Sequence, residues 1–108
     1  MARASSPILV NRTRSSTAAQ TSVTGTASTI LTANESRRGF VIQNTGTTKI
    51  YITLGTDTPT TSVYHFALAA CTGANDGLGG VYIDDVWTGA VQAISSGAGG
   101  TCVITAIL

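Results

Sequence analysis

Apolar and polar residues alternate in short runs along most of this chain, most clearly over residues 37–55, RRGFVIQNTGTTKIYITLG. Two runs, Phe40-Val41-Ile42-Gln43 and Lys49-Ile50-Tyr51-Ile52-Thr53-Leu54, flank Asn44-Thr45-Gly46-Thr47-Thr48, whose residue types are those of a turn. This period of two predicts a β-hairpin. With Gln43 opposite Lys49, Ile42 would face Ile50, Val41 would face Tyr51 and Phe40 would face Ile52, so that Phe40, Ile42, Ile50 and Ile52 share one face. A slip of one residue would break that face.

The same pattern continues on both sides. Residues 20–32 (QTSVTGTASTILT) are dominated by threonine and β-branched residues and predict two short strands, with Gly25 at a turn or bulge between them. Arg37 and Arg38 are neighbours in an extended run and point to opposite faces, one covering the sheet with its stem, the other free to meet a partner's carboxylate. Residues 56–61 are loop, after which Tyr64, Phe66 and Leu68 fall on one face and His65 on the other. Residues 71–80 contain four glycines and predict a loop. Val81-Tyr82-Ile83 and residues 86–94 are strands split by Asp84-Asp85, and residues 101–108 form a terminal strand apolar on both faces. A strand of that kind is central in a sheet or clamped at a subunit contact. No apolar i, i+3, i+4, i+7 stripe of helical length occurs, so the fold class is all-β: a single β-sandwich or jelly-roll-like domain over residues 21–108. Residues 1–20, rich in Ser, Ala and Thr without sustained period, are expected to be an extended N-terminal arm anchored by Pro7, Ile8, Leu9 and Val10.

Composition adds that charged residues are only 10% of the 108, against roughly a quarter in an ordinary soluble domain. The surface must be neutral and hydroxyl-rich, which predicts association with copies of itself or with another protein. The net charge is +1 and the arginines at 3, 12, 14, 37 and 38 form no basic run, so nucleic acid is not an expected partner. Ile8-Leu9-Val10 is too short for a signal or spanning segment, so the protein is expected to stay in the cytoplasm that makes it, away from membranes, with Cys71 and Cys102 as buried thiols.

Catalytic chemistry finds little to stand on. Asp84 and Asp85 are adjacent and diverge if extended, and with Asp76 their spacing matches no dedicated calcium loop. Cys71, Cys102 and His65 lack the paired spacing of a zinc site. His65 is the single histidine, and neither a G-x-S-x-G elbow nor a phosphate-binding glycine motif is present. The expectation is a protein that is not an enzyme and needs no cofactor or metal.

The order RRGFVIQNTGTTKIYITLG, then YHFALAAC, a Gly-rich loop and the Trp87–Val91 run resembles small structural proteins of tailed bacteriophages, among them head-decoration, cement and fibre-base proteins. The resemblance spans about residues 36–108 and rests on strand and turn patterns. It implies a β-sandwich or jelly-roll module, frequently a homotrimer, that sits on the virion and binds the major capsid protein, with no catalytic residue. Expected contact residues are Pro7, Ile8, Leu9 and Val10 of the arm, with Arg37, Arg38 and His65. The alternative is a fibre or tail module that binds a receptor or glycan through exposed Tyr64, Tyr82 and Trp87.

Overall fold

The computed structural model describes residues 15–108. Eight strands and no helix are found among them: β1 (Ser16–Val23), β2 (Ser28–Leu31), β3 (Gly39–Asn44), β4 (Ile50–Leu54), β5 (Phe66–Leu68), β6 (Val81–Asp84), β7 (Val91–Ser95) and β8 (Gly100–Ile107). They form two antiparallel sheets, sheet A in the order β1-β8-β3-β6 and sheet B in the order β2-β7-β4-β5. The all-β reading is thus what the structure has.

The alternating positions drive the two sheets together. Phe40, Ile42, Val23, Cys102 and Ile104 from sheet A meet Ile50, Ile52, Leu68, Val91 and Ala93 from sheet B in one buried cluster. Each of the larger side chains contributes roughly 1.5–3 kcal/mol by leaving water. Ile30, Leu31, Leu54, Phe66, Tyr82 and Trp87 close its margins.

The hairpin expected over residues 37–55 is not formed. β3 pairs with β8 and β6, whereas β4 pairs with β7 and β5. Phe40, Ile42, Ile50 and Ile52 do face one core, but from opposite sheets. The physical reason is that a period of two fixes which side of a strand is apolar and not which strand lies beside it. What turns the chain across the gap is Asn44, fully buried at the end of β3. Its Oδ1 accepts the Gly46 N–H (3.0 Å), and its Nδ2 donates to the carbonyls of Thr48 (2.8 Å) and Leu68 (3.1 Å). Gly46 lies so close to Thr101 that a Cβ there would come within 3.0 Å of the Thr101 nitrogen.

The same crossing recurs elsewhere. β1 and β2 flank a turn at Gly25 as expected, yet they too belong to different sheets; β4 and β5 are the one consecutive pair that share a ladder. A further correction concerns the arm. Residues 16–20, placed in it by composition, belong to β1 and pair with β8 from Ser16↔Ile107 to Gln20↔Val103. Their hydroxyl, methyl and amide side chains are exposed, so the pattern carries no burial signal there; backbone pairing holds them. β8, apolar on both faces, lies between β1 and β3.

Candidate contact surface

The register of sheet A defines its outer face. Since Phe40 and Ile42 point inward, Val41 and Gln43 point outward, and their neighbours across the sheet are fixed. One row runs Gln20, Val103, Gln43, Val81; the next runs Ala18, Thr105, Val41, Ile83; a third holds Ser16, Ile107 and Gly39. None of these residues is charged. Val81 and Ile83 are 51% and 71% exposed, and Leu78 and Val86, exposed at 70% and 82%, lie just before and after β6. Exposed aliphatic groups concentrated on one uncharged sheet face are the usual mark of a contact surface.

The sequence pattern concealed this. Val81-Tyr82-Ile83 reads as a strand without saying which of its sides faces inward, and pairing of Tyr82 with Ile42 turns Tyr82 to the core and Val81 and Ile83 to solvent. Tyr82 stacks on Phe66 at 4.2 Å between ring centroids and approaches Phe40 at 6.0 Å. The legible signal was the terminal strand with apolar residues on both faces.

Two turns frame the face. At one end of β6 the Asp84 carboxylate accepts the Tyr82 hydroxyl (2.7 Å) and the N–H groups of Val86 (2.7 Å) and Trp87 (2.6 Å). Burial pushes the Asp84 carboxyl up, but the Trp87, Tyr82 and Val86 bonds and the nearby Arg37 charge outweigh it and hold it below the usual range. The same bond to Asp84, with burial, raises the Tyr82 phenol. At the other end, Asp76 accepts the N–H groups of Gly73 and Leu78, both at 2.8 Å, which lowers its pKa and shapes the loop that carries Leu78. Asn75 (φ 61°) and Gly77 (φ 82°) take the left-handed conformation this loop needs. Gln43 Nε2 donates to the Gly77 carbonyl at 3.3 Å and joins loop to face. The carboxylates of Asp76 and Asp84 are thus engaged by the chain's own donors, and no three metal-ligating side chains gather among the described residues.

The contact residues expected from the sequence fare differently. Pro7, Ile8, Leu9 and Val10 lie outside the described residues. Arg37 is a correction: it is 4% exposed and donates from Nη1 to the Thr32 carbonyl (3.0 Å) and from Nη2 to those of Trp87 (3.0 Å) and Gly89 (2.8 Å). Its guanidinium carbon lies 5.1 Å from the centre of the Phe40 ring. Burial lowers its pKa against the raising effect of Asp84. Arg37 is therefore a buried tie between crossings, not the exposed residue expected. Arg38 is exposed, and its backbone N–H donates to Ile107 at 2.7 Å. His65 is exposed too, but its Nδ1 accepts the Leu54 N–H at 2.9 Å, just beyond the point where its own N–H meets the Ile52 carbonyl. The imidazole so extends the β4 ladder as a substitute acceptor, with Asp57 3.9 Å from Nε2.

The aromatic platform imagined for a glycan is not assembled. Tyr82 and Trp87 are half-buried; Tyr64 is exposed and packs on Tyr51 at 4.7 Å. Trp87 Nε1 donates to the Ala90 carbonyl at 3.0 Å. Cys71 and Cys102 are free and buried, Cys102 with its thiol pushed up to about 11 by burial. A separate cleft of about 170 Å³ opens between β1 and β2, lined by Thr17, Ala19, Thr21, Ile30, Leu31, Ile104 and Ala106. No helix among the described residues is long and apolar enough to cross a membrane.

In comparisons with known proteins, no family model, curated protein or solved structure matches the chain.

Proposed function

We propose that this protein is a structural subunit of a bacteriophage virion, a decoration or cement protein that stabilises the head by binding across neighbouring copies of the major capsid protein. The observation that carries the reading is the charge-free outer face of sheet A, with Val81 and Ile83 presented to solvent at its rim. A neutral surface of aliphatic, amide and hydroxyl groups favours adhesion: it carries no charge to desolvate and offers hydrogen bonds without demanding a particular counter-charge.

Two further features support it. We read the strand order β1-β8-β3-β6 against β2-β7-β4-β5 as that of a jelly roll, an architecture common to viral capsid and lectin domains. That support is by analogy of fold. Against the lectin branch stand Tyr82 and Trp87, whose rings are packed toward the core where a sugar would need them open. On this reading adhesion gains from repetition, since copies arrayed on a lattice raise a weak contact through effective concentration.

The test is to purify particles from the culture that carries this sequence, wash them in high salt and search them for the chain. The reading expects it there at stoichiometric copy number. Its absence from washed particles, with the chain free in the lysate, would overturn the reading.

A further inference from the structure

We propose that β1 is a self-association edge at which two copies pair antiparallel, β1 to β1, joining their A sheets into one eight-stranded sheet. The inference goes beyond the proposed function and does not depend on what the outer face binds. Four strands stand at the sheet edges: β1, β6, β2 and β5. Three of them are of four residues or fewer, and short edges resist strand addition. β1 has eight residues, STAAQTSV, with no charge, proline or glycine to oppose a new neighbour, and no strand among the described residues lies beyond it.

The sequence of β1 suits its own reverse. A twofold axis through an antiparallel pair sets residues i and j of constant sum opposite one another. That sum must be even, or outward residues would meet inward ones. An axis at Ala19 engages residues 16–22, all of β1 but Val23: Ala18 opposes Gln20, Thr17 opposes Thr21, Ser16 opposes Ser22, and Ala19 opposes itself. All four pairs are uncharged, three of them pair small side chains, and opposed threonines and serines can exchange hydroxyl bonds. The inward row Thr17, Ala19, Thr21, which walls the cleft beside Ile30, Leu31 and Ile104, then continues into the same row of the second copy. The two clefts open into each other beneath the joined sheet. Outside, the uncharged rows that contain Ala18 and Gln20 double in width.

A twofold pair of this kind differs from the homotrimer that the resemblance implies, and sedimentation distinguishes the two.

The test uses the full chain with Ala19→Cys. Directly opposed Cα atoms in an antiparallel pair are about 4.5–5.5 Å apart, within disulfide reach of roughly 4.4–6.8 Å. Cys71 and Cys102 are buried and give little background. Under mild oxidation Ala19→Cys should become a covalent dimer with unchanged circular dichroism, while Ala18→Cys, which opposes Gln20, should stay a monomer on a non-reducing gel. An uncrosslinked Ala19→Cys, or equal crosslinking of the two variants, overturns the proposal. In parallel, sedimentation of the unmodified chain should show a dimer. The double variant A18K/Q20K, which sets lysines opposite lysines, should weaken it about tenfold or more. An unmodified chain that sediments as a monomer or trimer contradicts the inference.

Discussion

Arg37 and Trp87 are joined by a 3.0 Å hydrogen bond from the guanidinium Nη2 to the backbone carbonyl, tying the crossing from β2 to β3 to the crossing from β6 to β7. The same nitrogen reaches Gly89 and the other reaches Thr32, so one buried side chain serves three carbonyls. Arg37→Ala would leave those acceptors without a donor, and a loss of about 2–4 kcal/mol is expected in urea unfolding. Arg37→Lys should recover only part of it, since a point charge cannot span a fork.

Asn44 is the second such device. Asn44→Ala removes two donated bonds and one accepted bond at the end of β3 and should cost about 2–3 kcal/mol. Asn44→Asp should be at least as costly, because a carboxylate would then face the carbonyls of Thr48 and Leu68. Equilibrium unfolding of both variants checks this.

Asp84 gives the fold a dependence on acid. Its folded pKa lies below its ordinary value of 3.8, so the folded state favours the charged form. The stabilisation is complete above the unfolded carboxylate pKa and is lost as pH falls through the folded one. Asp84→Asn should be less stable than the parent by about 1–2 kcal/mol at pH 7, and the gap should narrow below about pH 4. A gap that stays constant down to pH 2 would show that the carboxylate's charge is not what matters.

Cys102 is fully buried and its thiol is raised to about 11, so at pH 8 it should resist iodoacetamide in the folded protein and react fully in denaturant. Mass measurement after alkylation without reductant reads the outcome, and labelling of both thiols only after unfolding is the expected result.

How far the sequence led can be judged from particular residues. Phe40, Ile42, Ile50 and Ile52 were legible as core from their period, and all four are fully buried. Their division between two sheets was not, because the turn residues at 44–48 suit an arch as well as a hairpin; the Asn44 bond to Leu68 that distinguishes them is made far along the chain. Residues 16–20 were missed as strand because this part of β1 is exposed and held by backbone pairing with β8, full burial coming only at its far end with Val23. Arg37 and His65 were expected as contact residues, but each meets the chain's own backbone groups, which lie far from it in sequence or around a turn and leave no local pattern. The outer face of sheet A escaped notice because no residue on it is unusual alone; its character comes from register, which brings Val81 beside Gln43 and Ile83 beside Val41.

The central claim is that this face performs the work by contact. The most direct measurement is binding of the labelled chain to particles that lack it, for the parent and for V81K/I83K. Both side chains are exposed on the short edge strand β6, so the double variant should melt at the parent temperature. Burying the two aliphatic groups on a partner is worth roughly 1.5–3 kcal/mol each, and half of that sum already exceeds tenfold in affinity. The account predicts binding weakened by more than about tenfold with an unchanged melting temperature. Equal binding of the two proteins would contradict it.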